Sequence, residues 1–528
     1  MRKGLINCKM IYRTINIADK FVETANLYHD KIAVIYNDRE MTFSEIKKMS
    51  NIIAWTVHSK VNKISPIAVF ISSKADVVVS DLGILLAGKF FMNLDVSTPI
   101  DRIKKIIIQT NPALILVDKN NESCIKSITN EYLVFEDIIN SQFNYEDFSI
   151  EKFRRNTIDS EPFCIINTSG TTGVPKSVVL SHRSFINFVN WAYSVYGFSY
   201  RERIASLSPV VFDIYVYELC MMIFHGATLI LIPSTMAIFP YKMLMYLEKQ
   251  EPTFLFWVPT IMVNIANRDM LSGFDFRLIK NVWFAGEVFP TKQYNYWHKM
   301  LPTAQFTNLY GPIEITVDCT YYIIDYEIDD NEEIPLGYSC NDADVFILND
   351  RDTIADINEE GEICVRSSSL AMGYYNDEKN TLERFVQNPL QHNYPEIIYR
   401  TGDLGLVDDR GLIMFKGRKD TLIKHMGYRI ELNEIEHIII SVLRLVDNGC
   451  SIYDANKKVI IFIYEAESEI DPATFKKQLS KKLPKYMIPT VYIRMSTLPR
   501  NTNGKIDRAR LKDYKEIVGK SVIHFAHP

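Results

Sequence analysis

Short apolar runs alternate, along the first four hundred or so residues, with longer segments in which apolar residues recur at helical spacing. Runs of this kind are typical of strands that are buried on both faces of a sheet. They are IAVFIS (67–72), ALILVD (113–118), FCIINTS (163–169), ATLILIP (227–233) and FLFWVP (254–259). The segments of helical spacing include 44–58, 185–196 and 241–249. This alternation predicts an α/β fold in which a large N-terminal domain contains layered, largely parallel sheets and helices.

The pattern changes near residue 415, where short alternating segments are followed by a basic stretch of helical spacing. A change of this kind indicates a second, smaller unit with its own core. We therefore expect a small α+β domain near the C-terminal end. The predicted boundaries are 1–416 for the large domain, 417–420 for a hinge, 421–515 for the small domain and 516–528 for a loose tail.

Composition and charge narrow the class of protein. The 528 residues are 47% hydrophobic and 23% charged, as in an ordinary folded globular chain. The formal net charge of -5 argues against nucleic-acid binding, because such proteins usually carry a basic excess. The 8 cysteines form no CxxC pair, and neither a signal peptide nor a continuous membrane-spanning run is evident. We expect a cytoplasmic protein with reduced thiols and no membrane span.

The sequence TSGTTGVPK (168–176) forms a loop rich in hydroxyls and glycine at the end of the apolar run FCIINTS. Glycines let backbone N–H groups approach an anion, and Lys176 adds a positive charge, so the loop suits a polyphosphate. An ordinary polar turn is one alternative. A Walker loop is another, but Pro175 stands at its second glycine and has no N–H for a phosphate. The third alternative is the signature loop of adenylate-forming enzymes, which agrees nearly letter for letter.

Ten motifs follow one another in the order typical of a single enzyme superfamily. They are MTFSEI (41–46), LLAGKFFMNLD (85–95), NTSGTTGVPKS (167–177), FDIYVYE (212–218), NLYGPIEIT (308–316), GEICVRSSSLAMGYYN (361–376), YRTGDLG (399–405), GRKDTLIKHMGYRIELNEIE (417–436), LPKYMIP (483–489) and NTNGKIDR (501–508). In these motifs the chain resembles the adenylate-forming superfamily. It is most similar to the amino-acid adenylation domains of nonribosomal peptide synthetases and to D-alanine–D-alanyl carrier protein ligases. The resemblance implies an AMP-forming ligase that uses ATP and Mg²⁺.

The same resemblance implies roles on the nucleotide side of the site. Tyr310 would lie on the adenine face, and Asp403 would accept hydrogen bonds from the ribose hydroxyls. Glu314 would bind Mg²⁺, a hard cation that suits carboxylate and phosphate oxygens. Lys176 would help to hold the β- and γ-phosphates and then pyrophosphate, and Lys505 would neutralise charge as a substrate carboxylate attacks the α-phosphorus. These two lysines and Glu314 are the implied catalytic residues. The full set of implied ATP-binding residues is Thr168, Ser169, Gly170, Thr171, Thr172, Gly173, Gly286, Glu287, Asn308, Tyr310, Gly311, Asp403 and Arg418.

An amino-acid pocket is also implied. Asp213 would pair with the substrate α-ammonium, since a buried carboxylate without a cation is costly; a helix N-cap is the alternative role. The implied pocket wall is Ile214, Tyr217, Phe256, Trp283, Ala285, Leu309, Val317 and Asp318. Its three large aromatics favour a small side chain, alanine of either enantiomer first and serine or proline next. Asp318 would contact a polar side chain or a water, or point away.

A second half-reaction follows from the resemblance. The small domain would turn about Asp420 and bring the turn that contains Lys424 and Gly427 to the site. The aminoacyl group would then pass to the phosphopantetheine of a carrier protein. Because no carrier attachment motif follows position 508, we expect a stand-alone monomer that meets its carrier in trans.

Two alternatives to this function stay open. One is an acyl-CoA synthetase that uses coenzyme A as the acceptor. The other is an inactive adenylate-binding sensor. Ile313, which stands where the family has threonine, cannot give the α-phosphate a hydroxyl hydrogen bond, so adenylation is slower unless a backbone N–H compensates.

Overall fold

The protein is described here by a computed structural model. The structure describes residues 16–141, 157–168, 175–419, 421–455 and 457–500, together with residues 506, 508, 510 and 511. Lys505, Asp420 and the loop residues 169–174 lie outside these described residues.

The described strands are numbered in chain order. They are β1 Ile32–Tyr36, β2 Arg39–Thr42, β3 Pro66–Phe70, β4 Phe90–Asn93, β5 Leu114–Val117, β6 Tyr132–Val134, β7 Pro162–Thr168, β8 Lys176–Ser181, β9 Arg203–Ser206, β10 Thr228–Leu231, β11 Phe254–Trp257, β12 Asn281–Ala285, β13 Gln305–Tyr310, β14 Thr320–Ile324, β15 Tyr338–Ser339, β16 Ala343–Leu348, β17 Gly361–Ser367, β18 Gly373–Tyr374, β19 Phe385–Gln387, β20 Ile397–Val407, β21 Ile413–Arg418, β22 Leu422–His425, β23 Tyr428–Glu431, β24 Asn448–Asp454, β25 Val459–Glu465 and β26 Val491–Met495. All five apolar runs singled out in the sequence contain strands, namely β3, β5, β7, β10 and β11.

The described α-helices are also numbered in chain order. They are α1 Ile17–Leu27, α2 Phe43–Lys60, α3 Lys74–Leu86, α4 Ile100–Thr110, α5 Glu122–Lys126, α6 Phe135–Ile139, α7 His182–Tyr196, α8 Asp213–His225, α9 Ser234–Ala237, α10 Pro240–Gln250, α11 Pro259–Asn267, α12 Thr291–Met300, α13 Glu378–Arg384, α14 Leu432–His437 and α15 Pro472–Leu479. Short 3₁₀ turns occur at Leu271–Gly273, Ile313–Ile315 and Lys485–Met487, and a π-helical turn at Ile438–Val442. Of the helices in the described part of the chain, none has both the length and the apolar composition that a bilayer crossing requires.

Two large sheets form the main layers of the large domain. The described strands of the first sheet lie in the order β15-β14-β13-β12-β11-β9-β10-β1-β2, and those of the second in the order β18-β8-β7-β4-β3-β5-β6. The central pairings of both sheets are parallel. Residues of α2, α3 and α8 join both sheets in one apolar core. These layers confirm the predicted α/β fold with largely parallel sheets.

A third sheet completes the large domain. Strands β16, β17, β20 and β19 pair in this order, β21 pairs with β20, and every pairing is antiparallel. Because β21 ends at Arg418, the first two residues of the predicted hinge belong to this sheet.

The small domain follows directly. Hairpin β22–β23 leads into α14, and β24, β25 and β26 form a separate sheet on which α15 lies. Phe462 on β25 and Phe475 on α15 are fully buried in a core that is distinct from the cores of the large domain. The small α+β domain that the sequence predicts is therefore present in the described residues.

Candidate active site

The candidate active site is a cavity at the carboxyl ends of several parallel strands. Asn93, Thr168, Ala285 and Gly311 lie at or just beyond the ends of β4, β7, β12 and β13, and all four line the cavity. In open α/β sheets, ligands bind at this edge. The β22–β23 hairpin of the small domain covers the opposite side.

Tyr310, Asp403 and Arg418 form a connected polar group beside this cavity. The Tyr310 hydroxyl donates to Asp403 Oδ2 at 2.6 Å, and Arg418 Nη1 pairs with Asp403 Oδ1. The antiparallel register of β20 and β21 sets Asp403 opposite Arg418. Both Asp403 oxygens have protein partners, but a carboxylate offers about four acceptor positions, so two ribose hydroxyls can still be accommodated. The roles of these residues toward adenine and ribose stay predictions.

Glu314 lies in the 3₁₀ turn after β13 and is fully buried. Its Oε1 accepts a hydrogen bond of 2.7 Å from the Tyr374 hydroxyl, and its Oε2 accepts one of 2.6 Å from Arg429 Nη1. Burial alone would raise the pKa of Glu314, but the Arg429 charge and the Tyr374 hydroxyl outweigh it and hold the pKa at about 2. The carboxylate is therefore ionised at neutral pH.

The fit of Mg²⁺ to this site depends on Glu314. Among the described residues, no group of three or more His, Cys, Asp and Glu side chains is arranged to hold a metal ion. Mg²⁺ is usually bound by one or two carboxylates plus substrate phosphates, so a single ionised glutamate is a suitable protein ligand. Arg429 occupies one of its oxygens here. The ion therefore fits the site in chemistry, provided that Arg429 moves aside.

Lys176, at the start of β8, lies near the same group. Its Nζ is 5.4 Å from the centroid of the Tyr374 ring, and burial followed by the Arg429 charge lowers its pKa. The Thr168 hydroxyl is 3.4 Å from the Lys176 carbonyl oxygen, to which it donates. The other predicted phosphate-binding residues, outside the described part of the chain, are Ser169, Gly170, Thr171, Thr172 and Gly173.

Two of the residues predicted near the adenine edge, Asn308 and Glu287, form hydrogen bonds within the protein. Asn308 Nδ2 donates to the Pro335 carbonyl at 2.7 Å. Gly286 has a φ of 91°, which glycine adopts without strain, and it turns the chain toward Glu287. Glu287 Oε1 accepts a hydrogen bond of 2.8 Å from the Gly427 backbone N–H. Glu287 therefore links the large domain to the hairpin, a contact that the sequence did not reveal.

Asp213 begins the amino-acid half of the cavity. It is the first residue of α8, and its Oδ1 accepts a 2.9 Å hydrogen bond from the Ile214 N–H. The N-cap is Phe212, so Asp213 does not cap the helix as the alternative proposed. Burial raises its pKa to about 6, against the opposing effects of the Ile214 N–H and the Lys424 charge. In the described part of the chain no ion pair holds this carboxylate.

Asp318 faces the same cavity from the end of a strained turn. Thr316 and Val317 each have a φ of 65°, a region that β-branched residues rarely adopt. Gly311 packs against this turn so closely that a Cβ there would collide with the Asp318 Cα. Burial and the Asp213 charge hold the pKa of Asp318 well above its usual range. Asp318 is one of the residues that line the cavity, and its Oδ2 has no hydrogen-bond partner among the described residues.

The predicted pocket wall divides into two layers. Ile214, Ala285 and Val317 line the cavity together with Asp318. Tyr217 and Trp283 lie behind them, fully buried and stacked with ring centroids 5.5 Å apart, and Leu309 is also buried without lining the cavity. Phe256 packs edge-on against Trp283 at 5.5 Å and lines a neighbouring cavity. The aromatics fill the space that a long side chain would need.

The hairpin turn that contains Lys424 and Gly427 lies on the site. Lys424 Nζ is 5.9 Å from the centroid of the Tyr310 ring, and the Lys424 side chain lines the cavity together with Gly427. Arg429 and Gly427 make the bonds to Glu314 and Glu287 described above. Two further contacts between the domains are the buried ion pair of Arg102 with Glu434 and the ring contact of Phe212 with Tyr428 at 5.0 Å.

Two residues that bind Glu314 were not singled out from the sequence. Arg429 and Tyr374 lie inside motifs quoted for the resemblance, at 417–436 and 361–376, but nothing in those motifs indicates which acid they reach. Both are more than 50 residues from Glu314 in sequence, and only the packing of three chain segments brings them together. Lys505 and Asp420 lie outside the described residues, so their predicted roles stay predictions.

Comparison with known proteins identifies the family. The family model described as AMP-binding enzyme matches residues 21–375. Over 488 residues the chain is 30% identical to zwittermicin A synthase ZmaJ of Bacillus cereus, covering 91% of each chain. It is 29% identical over 504 residues to a D-alanine--D-alanyl carrier protein ligase of Bacillus cytotoxicus, covering 91% of this chain and 96% of that relative.

Other relatives are longer, and the chain spans 19%, 45% and 9% of three of them. Among solved structures, the Vibrio cholerae adenylation domain AlmE, in complex with glycyl-adenosine-5'-phosphate, superposes with a TM-score of 0.81. That match has 18% sequence identity and covers 98% of this chain and 99% of the other. This last similarity supports the fold. Because the family model and the 30% identical relative both cover most of the sequence, the chain belongs to the AMP-binding enzyme family and is an AMP-forming ligase of the adenylation type.

Proposed function

We propose that the protein activates a small amino acid as an aminoacyl adenylate and then transfers it to the phosphopantetheine thiol of a carrier protein. The observation that carries this proposal is Asp213, a carboxylate without an ion pair among the described residues, in the cavity that Glu314 and Tyr310 adjoin. Asp213 is half-buried in the free protein, and a carboxylate enclosed with its ligand in this way is best stabilised by a cationic ligand group. Fatty and aryl acids have no such group, whereas an amino acid does.

In the first step, an oxygen of the amino-acid carboxylate attacks the α-phosphorus of ATP, and the bond to pyrophosphate breaks. The reaction brings two anions together, so fixed positive charge and alignment supply most of the catalysis. Lys176 is one such charge, and Lys505 is the predicted second. Mg²⁺, when bound at Glu314, supplies charge to the phosphate oxygens.

In the second step, the thiol of the carrier attacks the carbonyl carbon of the adenylate, and AMP leaves. The position of the hairpin supports this step, because Lys424 and Gly427 adjoin the cavity in the manner predicted for it. A neighbouring, mostly apolar cavity also supports the second step. This cavity adjoins the active-site cavity, because Phe212, Val258 and Gly427 line both of them. An extended acyl acceptor could reach the first cavity through the second.

The names of two similar proteins support a small amino acid as the substrate. One is named for a D-alanine ligase that acts on a carrier protein, and a structural neighbour holds glycyl adenylate. Both substrates are small amino acids. The aromatic layer of Tyr217, Phe256 and Trp283 is consistent with the same size limit here.

Amino-acid-dependent exchange of pyrophosphate into ATP, measured over the common amino acids, tests the first step. We expect a small amino acid to support exchange, and Asp213→Ala to lower kcat/KM for it by about a hundredfold or more, since removing one member of a buried charge pair costs about 3–5 kcal/mol. Asp350→Ala is the matched control, because the Asp350 side chain is fully exposed. Exchange that persists in Asp213→Ala would point to a substrate without an ammonium group.

The acceptor is tested by offering coenzyme A and a phosphopantetheinylated carrier protein side by side to the preloaded enzyme. We expect the carrier to be acylated and coenzyme A to react far more slowly. Efficient formation of an acyl-coenzyme A would replace the second step proposed here with that of an acyl-CoA synthetase.

A further inference from the structure

A buried carboxyl group behind the active-site cavity holds two of the elements that form it. Asp81, on α3, is fully buried, and its Oδ2 accepts hydrogen bonds from the Tyr215 hydroxyl at 2.9 Å and from Asn93 Nδ2 at 3.0 Å. Tyr215 belongs to the first turns of α8, on which Asp213 also lies, and Asn93 is the last residue of β4. Neither Asp81 nor Tyr215 is among the described residues that line the cavity. Asp81 can therefore act on the site only through the side chains that it contacts.

Asn93 extends this contact to the segment that precedes α8. Its Nδ2 also donates to the Val210 carbonyl at 3.1 Å, and Asn93 itself lines the cavity. Residues 207–212 connect β9 to α8 without regular secondary structure. The Asp81 carboxyl thus reaches the chain before Asp213 through the amide of Asn93. It reaches the chain after Asp213 directly.

Helix α3 also holds the beginning of this connecting segment. Lys74 Nζ donates to the Leu207 carbonyl at 3.1 Å and to the Ser208 carbonyl at 2.9 Å. Lys74 and Asp81 are about two helical turns apart, so they lie on the same face of α3. Almost every residue of α3 is buried, and side chains on a packed helix support a site more precisely than side chains on a loop do.

The start of α8 depends on support of this kind because of the way the helix begins. Phe212 stands at the N-cap, and no described side chain caps the helix. Asp213, the next residue, uses its own carboxylate to accept a hydrogen bond from the Ile214 N–H. The position of that carboxylate therefore follows the position of the first turn. A displacement of about 1 Å in a group that positions a substrate can cost about a hundredfold in rate.

We propose that Asp81 is a positioning residue for amino-acid activation, because its two hydrogen bonds hold the first turns of α8 and so set the place of the Asp213 carboxylate. This inference rests on the proposed function, in which Asp213 binds the substrate ammonium. Burial raises the pKa of Asp81 to about 8, against the opposing effects of the bonds from Asn93 and Tyr215. Asp81 is therefore mostly uncharged at neutral pH, and Asp81→Asn keeps both the missing charge and an oxygen that accepts the two bonds.

Pyrophosphate exchange with the amino acid that the wild type accepts best tests the inference. Asp81→Ala removes the acceptor of both bonds. We expect it to raise KM for the amino acid about tenfold and to change kcat and KM for ATP little, since a displaced carboxylate binds the ammonium less well in the ground state and the transition state alike. Tyr215→Phe removes one bond with little change of volume and should raise the same KM by a smaller factor. Asp81→Asn should behave as the wild type does.

Tyr294→Phe is the matched control. Tyr294 is also fully buried, and its hydroxyl donates to the Tyr326 carbonyl at 2.8 Å, on α12. Both KM values of this variant should equal those of the wild type. A general loss of folded enzyme lowers kcat without changing KM, and that result in both Asp81→Ala and Tyr215→Phe would overturn the inference.

Two further results would also overturn it. One is an equal rise of KM for ATP and for the amino acid in Asp81→Ala, and the other is an Asp81→Asn enzyme as impaired as Asp81→Ala. Each of these results would leave the proposed function intact. A wild-type protein that exchanges with no amino acid would instead contradict the proposed function itself.

Discussion

The two halves of the active-site cavity satisfy their charges in different ways. On the nucleotide side, Asp403 is paired with Arg418 and Tyr310, and Glu314 with Arg429 and Tyr374. On the amino-acid side, Asp213 and Asp318 have no ion pair among the described residues, and Asp318 Oδ2 has no hydrogen bond. The acids of the first half have cationic hydrogen-bond partners before any ligand arrives, whereas, in the described part of the chain, the acids of the second half have only the nearby charge of Lys424.

This difference indicates what each half requires from its ligand. Asp403, paired with Arg418 and Tyr310, keeps its geometry in the free protein, so it can position a nucleotide with little reorganisation. Glu314, in contrast, must exchange Arg429 for Mg²⁺. An unpaired carboxylate raises the free energy of the unliganded protein and lowers it again only when a donor or cation binds. The amino-acid half therefore couples stability to substrate chemistry, as strained functional sites commonly do.

The largest effect is expected from breaking a pair on the nucleotide side. Arg418→Ala should lower the free energy of unfolding by about 3–5 kcal/mol, because it leaves Asp403 buried without its cation. Urea unfolding of the free protein measures this. Arg277→Ala is the control, since Arg277 and Asp275 form an exposed pair worth about 0–1 kcal/mol. Equal losses in the two variants would show that the pairing of Asp403 contributes little.

The second prediction concerns the amino-acid side of the cavity and the pH dependence of kcat/KM. Burial raises the pKa of Asp213 to about 6, so the free enzyme loses the carboxylate charge as the pH falls through that value. Because the ammonium substrate needs the ionised form, kcat/KM for the amino acid should fall about tenfold per pH unit below pH 6. Pyrophosphate exchange between pH 5 and 8 measures it. In contrast, kcat/KM for ATP should not change near pH 6, because the pKa of Glu314 is about 2 and this carboxylate stays ionised over the whole range.

The smallest effect is a gain of stability. Asp318→Leu should raise the free energy of unfolding of the unliganded protein by about 1–2 kcal/mol, because it replaces an unsatisfied buried acceptor with an apolar side chain of the same branching, whose larger methyl groups extend into the adjoining cavity. Thermal unfolding without substrate measures this change. A loss of stability would mean that Asp318 is satisfied in the free protein, and the contrast between the two halves would then disappear.

Much of the fold could be predicted from local patterns. The apolar runs at 67–72 and 254–259 predicted strands, and β3 and β11 lie there, because a strand buried on both faces must be apolar throughout. The motif residues Tyr310, Asp403 and Arg418 were expected to share a site, and the structure does bring them together. The partners of Glu314 could not be predicted, since Arg429 comes from the small domain and its placement depends on how the domains dock.

The sequence by itself determined the layers, the family and the residue types of the site, because hydrophobic periodicity and motif order are local properties of the chain. Only the tertiary structure decided which acids are paired. Whether a carboxylate meets a cation depends on distances of a few ångströms between segments far apart in sequence. The strained turn at Thr316 and Val317 leads to Asp318, which has no ion pair among the described residues. The hairpin, in contrast, brings Arg429 to Glu314 and pairs that acid.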